Sequence, residues 1–265
     1  QILIELVKLA NLIITISKAL ASASRISSVF DIAPSQKFGI KEYPDTDAPA
    51  VKFEAVSLCY QGAENSISDI CFEAECSQTI GIIGGTGSGK SSLINLIPRF
   101  YDATEGVVSL FGIPIAEYSK EAIASMVSVV PQRAVLFSGS IGENMRWGAP
   151  NATDEEIFRA LKIAQAEDFV IEKGGLDARV EAGGKNFSGG QRQRLTIARA
   201  IVTRPKILVL DDSASALDFA TDAALRKSLR TLSDTTVFIV SQRASSVMAA
   251  DKIIVLDDGR CVDIG

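Results

Sequence analysis

The sequence predicts an α/β fold with a mostly parallel β-sheet, an additional antiparallel β-layer and a helix in front of both. Two observations lead to this fold class. An apolar run, Ile80–Ile83, enters a glycine-rich turn that is followed directly by a helical segment. Further along the chain, apolar strand-like runs alternate with helical segments, which is the pattern of a parallel sheet with helices on its faces.

The first 30 residues predict a helix. Apolar residues run from Ile2 to Ile16, interrupted by Glu5, Lys8 and Asn11. This stretch is too short and too charged to span a bilayer alone, and its helical composition continues where a secretory signal would be cleaved. Two interpretations stay open at this point: a packing helix of a soluble domain, or the cytoplasmic end of a longer transmembrane helix.

Residues 31–50 contain three prolines and scattered charges, so they predict a linker, and the main domain is expected at 51–265. Within that domain an antiparallel β-layer is expected first, and alternating strands and helices after it. The predicted elements, in order, are strands at 51–60 and 67–75, a helix at 90–100, strands at 107–111 and 127–130, helices at 153–172 and 191–202, a strand at 206–212, a helix at 217–232, a strand at 235–240 and two strands about Asp258–Gly259.

Composition excludes several functional classes. The net charge is −5 without a basic cluster, which argues against nucleic acid as the principal partner. The chain has no histidine, so Ser-His-Asp hydrolysis and histidine-ligated metals are excluded. The four cysteines lack zinc-ligand or redox spacing and are expected to be buried, reduced thiols.

The turn after Ile83 matches the phosphate-binding pattern G-x-x-x-x-G-K-[ST], from Gly84 to Ser91. Glycines let backbone N–H groups turn inward around phosphate oxygens, and the helix N-terminus adds positive charge. Lys90 can reach the terminal phosphates, while the Ser91 hydroxyl can ligate Mg²⁺. The alternative is a glycine-rich turn without a ligand, and the combination of strand, helix and motif argues against it. The predicted phosphate contacts are Gly85, Thr86, Gly87, Ser88, Gly89, Lys90, Ser91 and Ser92.

Two further features belong to the same chemistry. Asp211 ends an apolar strand and Gln132 follows another, which makes both candidate Mg²⁺ ligands beside Ser91. The segment Ser188–Gln191 precedes a helix and predicts a second anion site, or simply a helix cap.

Residues 51–265 resemble the nucleotide-binding domain of an ABC transporter. The resemblance rests on five motifs in their usual order: GGTGSGKSS, PQ at 131–132, FSGGQ at 187–191, ILVLDD at 207–212 and SALD at 215–218. The resemblance implies a P-loop NTPase with a RecA-like sheet and a helical signature subdomain. The sequences of residues 96–102 and 135–141 are similar to the corresponding segments of the multidrug and lipid exporter branch. In that branch the last transmembrane helix continues into the domain through a segment like Ala21–Ile26, which favours the membrane-helix interpretation of residues 1–30.

The resemblance also implies roles for individual residues. ATP with Mg²⁺ is expected, with Tyr60 stacking on adenine. Ser188, Gly189, Gly190 and Gln191 are expected to contact the γ-phosphate held by the opposite subunit of a head-to-tail dimer. Asp218 is expected to pass signals between the two sites, and Glu181 to sense the transmembrane domain. The implied partners are a second ABC half-transporter and the chain's own transmembrane domain, with the nucleotide-binding domain on the cytoplasmic side of the cell membrane.

Two positions depart from the family pattern. Asp212 stands where active members have a glutamate that polarises water, and Gln242 stands where they have a histidine. With Gln132, these residues form the expected catalytic set. The departures predict an ABC-type ATPase with a weakened site of its own, as in asymmetric heterodimeric exporters. The alternatives are a fully active homodimeric exporter and an ATP-occluding regulatory module without turnover, while a soluble ABC protein of translation or DNA repair is disfavoured.

Overall fold

The structure is a computed structural model that describes residues 1–32, 36–42, 48–60, 65–213 and 215–265. Parts of the predicted linker, 33–35 and 43–47, lie outside the described residues, as does most of the predicted loop between the first two strands, at 61–64. The chain divides into two compact units, Gln1–Lys37 and Phe38–Gly265.

The first unit consists of one helix, α1, at Ile2–Phe30. Taken by itself the helix buries none of its residues, and Lys8 pairs with Glu5 at 2.9 Å on its surface. A membrane-crossing helix is not found among the described residues.

The second unit is the α/β domain. Its helices are α2 (Lys90–Ile94), α3 (Lys120–Met126), α4 (Ile141–Arg146), α5 (Asp154–Ile163), α6 (Glu167–Glu172), α7 (Gly189–Val202), α8 (Phe219–Leu229) and α9 (Ala244–Val247). Its strands are β1 (Val51–Cys59), β2 (Asn65–Ala74), β3 (Thr79–Gly84), β4 (Glu105–Leu110), β5 (Ile113–Pro114), β6 (Val127–Val130), β7 (Gly139–Ser140), β8 (Arg179–Val180), β9 (Ile207–Asp211), β10 (Thr236–Ser241), β11 (Lys252–Asp257) and β12 (Arg260–Ile264).

The strands form the two layers that the sequence predicts. A six-stranded sheet has the order β12-β11-β3-β10-β9-β6, and its neighbouring strands are parallel except for the pair of β11 and β12. A four-stranded antiparallel sheet has the order β2-β1-β4-β5. The predicted fold class, with a mostly parallel sheet, an antiparallel layer, helices and an N-terminal helix, is confirmed.

Three aromatic side chains link the two sheets. Phe53 of β1 stacks on Phe72 of β2 with ring centroids 4.5 Å apart, and Phe72 meets Phe238 of β10 at 6.5 Å. All three belong to one buried apolar cluster, and Phe238 has no exposed surface. The antiparallel layer is therefore attached to the parallel sheet through close-packed apolar surface.

Three predicted helices are shorter than expected, and the one predicted at 217–232 spans Phe219–Leu229. The helix predicted at 90–100 ends at Ile94, because Pro98 has no N–H to donate to the Ile94 carbonyl. In the following turns the backbone N–H groups of Leu96 and Ile97 donate to the carbonyls three residues earlier instead of four. The helix predicted at 153–172 divides at Gln165, which has φ of 58°. There the Ala166 N–H donates to the Leu161 carbonyl at 2.7 Å, which is how an α-helix ends when the residue after it adopts the left-handed backbone region.

The expectation of buried cysteines is wrong. Cys71 and Cys76 are exposed, and Cys59 and Cys261 are only partly buried. Cys71 lies on the edge strand of the antiparallel layer, where side chains on one face stay in contact with solvent. Spacing along the sequence carries no information about which strand forms that edge.

We expect Phe238→Ala to lower the free energy of unfolding by about 3–5 kcal/mol, because it leaves a cavity between the two sheets. Phe238→Leu is the matched control and should cost under about 1.5 kcal/mol, since it keeps most of the buried volume. Urea unfolding followed by circular dichroism measures both. Equal stability of the alanine variant and the wild type would show that the aromatic link does not hold the layers together.

Candidate functional site

The glycine-rich loop joins β3 to α2. Gly87 and Gly89 have φ of 82° and 91°, values that residues with a Cβ rarely adopt. A Cβ on Gly89 would lie 2.6 Å from the Ser66 carbonyl oxygen, whereas a Cβ on Gly87 would meet open space. Gly89 is therefore required by both conformation and space.

Lys90 folds back over its own loop. Its Nζ donates to the carbonyl oxygens of Gly84 and Gly85, at 2.9 and 2.5 Å, and to the Ser88 hydroxyl at 3.2 Å. The side chain is buried, so its charge is held against the loop at the start of α2. A cation, a helix N-terminus and a turn of backbone N–H groups are the elements of an anion site.

A pair of adjacent carboxylates faces this loop. The Ser91 hydroxyl donates to Asp211 at 3.4 Å, across the ends of α2 and β9. Burial raises the pKa of the Asp211 carboxyl above its ordinary value, although the Ser91 hydrogen bond opposes the shift. Burial also raises the pKa of Asp212, against a hydrogen bond from the Gln132 amide at 3.3 Å.

These side chains converge on one cavity of about 360 Å³. Its lining includes most of the sequence-predicted set: Thr86, Gly87, Ser88, Gly89, Lys90, Ser91, Ser92, Gln132, Asp211, Asp212 and Gln242. Serine hydroxyl, amide and carboxylate oxygens are the ligands that Mg²⁺ prefers, and it is usually held by one or two carboxylates together with substrate phosphates. The donor set at this cavity therefore fits Mg²⁺ with a polyphosphate.

Four residues that sequence reasoning missed line the same cavity, namely Ser66, Val240, Asp258 and Gly259. Ser66 lies in β2 and Val240 in β10, while Asp258 and Gly259 form the turn after β11, whose Gly259 carbonyl accepts from the Ser68 N–H at 2.8 Å. The only sequence signal was the Asp258–Gly259 turn. Its position beside the loop follows from the pairing of β11 with β3, which no local pattern predicts.

The segment Ser188–Gln191 lies away from the cavity lining and forms a helix cap. The Ser188 hydroxyl accepts from the Gln191 N–H at 3.2 Å, and the Gln191 side chain accepts from the Ser188 N–H at 3.0 Å. This reciprocal pair is a capping box at the start of α7. Ser188 and Gly189 are exposed, so the cap faces outward.

Three further predicted residues, Gly85, Asp218 and Tyr60, also lie outside the cavity lining; the Gly85 carbonyl accepts from Lys90 instead. Asp218 caps α8, accepting from the Thr221 N–H at 2.9 Å, and this hydrogen bond lowers the pKa of Asp218. The Tyr60 hydroxyl donates to Ser92 at 3.2 Å, which places the Tyr60 ring beside the phosphate loop.

Comparison with known proteins gives the family of the chain. The profile of the family described as ABC transporter matches residues 67–215, more than half of the chain. An uncharacterised ABC transporter ATP-binding protein of Mycobacterium tuberculosis is 41% identical over 274 residues, covering 100% of this chain and 47% of that protein. A multidrug efflux ATP-binding/permease protein of the same species is 36% identical over 259 residues, covering 97% of this chain and 22% of that protein.

A solved structure agrees with these relatives. The structure of a bacterial Atm1-family ABC exporter with ATP bound matches with a TM-score of 0.86 and 31% identity, covering 95% of this chain and 44% of that chain. The chain thus spans less than half the length of each of these proteins.

We expect Asp211→Asn to raise the thermal unfolding midpoint at pH 7. The raised pKa means that burial penalises the charged carboxylate, so this penalty grows as pH rises above the ordinary aspartate range and is absent below it. The gain should therefore shrink as pH falls toward about 4. Calorimetry at several pH values measures it.

The control is Asp234→Asn, since Asp234 is exposed and should leave the midpoint nearly unchanged. A lower midpoint for Asp211→Asn at pH 7 would mean that the charged carboxylate stabilises the fold.

Proposed function

The chain belongs to the ABC transporter family, and from that membership we propose that it is the ATP-binding domain of an exporter subunit whose own hydrolytic site is weakened. ATP binding would close two such domains head to tail, and hydrolysis would reopen them. The observation that carries the proposal is the single cavity that brings Lys90 and Ser91 together with Asp211, Asp212 and Gln242.

The binding half of this cavity supports ATP as the substrate. Lys90 and the loop N–H groups are suited to hold and orient the phosphates, because they combine a fixed charge with preorganised donors. Ser91, Asp211 and Gln132 are the residues that would hold Mg²⁺. When bound, Mg²⁺ supplies neutralisation of the phosphate charge.

The catalytic half supports slow turnover. A carboxylate at position 212 can accept a proton from an attacking water, but aspartate reaches one methylene less far than glutamate. Asp212 is also held by its hydrogen bond from Gln132, at 3.3 Å. Gln242 can donate a hydrogen bond but carries no charge. Losing a well-placed general base typically costs on the order of 10²–10⁴ in rate, so the site should bind ATP and hydrolyse it slowly.

The outward cap at Ser188–Gln191 supports a role across a dimer interface. Its serine hydroxyl and helix N-terminus are suited to an anion, yet it does not line the chain's own cavity. We therefore assign it, with Asp218, to the site of a second ABC subunit. The intact cap and the two altered catalytic positions together favour a heterodimer with a hydrolytically competent partner over a homodimer.

The membrane location rests on the relatives. One of them is named an ATP-binding/permease protein, and this chain covers only 22% of it. We propose that residues 1–30 continue a transmembrane helix, that residues 31–50 link it to the domain at 51–265, and that the domain lies on the cytoplasmic side of the cell membrane.

We expect Asp212→Glu with Gln242→His to convert bound MgATP to ADP faster than the wild type by on the order of 10²-fold or more, because it restores the reach of the base and a positive charge. Single-turnover assays with radiolabelled ATP, followed from seconds to hours, measure the conversion. Each single variant should fall between the two.

Adding Lys90→Ala to the double variant provides the control and should abolish binding. If the wild type turns over as fast as the double variant, the weakened-site proposal is wrong and an active homodimeric exporter replaces it.

A complementation assay tests the role of the cap across the interface. We expect the double variant carrying Ser188→Arg, and a second chain carrying Lys90→Ala, each to be inactive alone. When the two chains are mixed in equal amounts, random pairing makes half of the dimers contain one chain of each kind. Each of these mixed dimers has one complete site out of two, so activity should return to roughly a quarter of the double variant's rate. No recovery in a mixture that forms dimers would contradict a role in the partner's site.

A further inference from the structure

Two contacts fix the ring of Tyr60. At one end its hydroxyl donates to Ser92, 3.2 Å away, which ties the ring to the phosphate loop. At its side it meets the ring of Tyr101, with centroids 4.9 Å apart and planes at 83°. The Tyr60 side chain is therefore held at its hydroxyl by Ser92 and at its ring by Tyr101.

Tyr101 lies in the turn after α2, outside the predicted site residues and outside the cavity lining. Its side chain is 45% exposed, so burial in the core does not account for its position. Edge-to-face geometry is one of the arrangements that aromatic rings prefer. The free energy of such a contact changes the equilibrium constant of the process that forms it by roughly two- to tenfold.

We propose that Tyr101 is a positioning residue for the nucleobase of the substrate, a purine nucleoside triphosphate. Its ring holds the Tyr60 ring in the orientation that receives the base, so the platform is formed before the nucleotide arrives. Ordering Tyr60 in advance removes part of the entropic cost of binding. This proposal rests on the proposed function, together with the expectation from the sequence that Tyr60 stacks on the base.

A double-mutant cycle on the 265-residue chain tests it, with MgATP binding measured by titration calorimetry. Tyr101→Ala should weaken binding roughly two- to tenfold in the wild-type background. It should have no further effect in the Tyr60→Ala background, because Tyr101 acts through Tyr60. Tyr101→Phe should bind like the wild type, since the contact is ring to ring. Phe100→Ala, an adjacent aromatic that is 57% exposed, is the matched control and should also bind normally.

The outcomes separate the two proposals. Equal weakening by Tyr101→Ala in both backgrounds would indicate a general structural effect and overturn the positioning role. Normal binding by Tyr101→Ala, or by Tyr60→Ala, would overturn it as well while leaving the ATP site intact. Failure of the wild type to bind MgATP would instead overturn the proposed function.

Discussion

The register of three parallel strands determines the distance between the phosphate loop and the carboxylates. β10 lies between β3 and β9, with Ser241 paired to Ile83 on one side and Val240 paired to Asp211 on the other. Neighbouring strands are separated by about 4.8 Å, so the ends of β3 and β9 lie about 10 Å apart. The loop and the first turn of α2 cross that gap, and Ser91 meets Asp211 there. A slip of one residue in either ladder would turn Asp211 to the opposite face.

The antiparallel layer protects this arrangement from one side. Ser66 and Ile67 of β2 approach Gly89 so closely that no side chain fits there, and the same layer is attached to β10 through Phe72 and Phe238. The layer thus contributes both a wall of the cavity and a support for the central strand. Loss of packing between the sheets would therefore change the position of the loop, because close-packed interiors transmit strain.

The sequence predicted the site best where its chemistry is local. Gly84 to Ser91 form one continuous motif, and a strand-end Asp211 has few other roles beside such a loop. The convergence of Gln132, Asp211 and Gln242 could be expected because parallel strands end at one edge of the sheet. The wall formed by Ser66 and Asp258 could not be predicted, since it depends on which strand lies beside β3. Pro98 is visible in the sequence, but how far before a proline a helix ends depends on how the preceding turn packs, and here the helix ends at Ile94.

The capping box at Ser188 has a thermodynamic consequence for association. The Ser188 hydroxyl and the Gln191 N–H already satisfy each other, so the cap is folded whether or not another subunit is present. Under the proposed head-to-tail pairing, a phosphate held by a neighbour would replace water on the exposed Ser188 O–H, which the cap leaves available as a donor, and such an exchange yields much less free energy than pairing groups that had no partner. Such an interface gains geometric selectivity at little cost in reversibility. If two subunits close and separate in every cycle, as proposed above, their interface requires that balance.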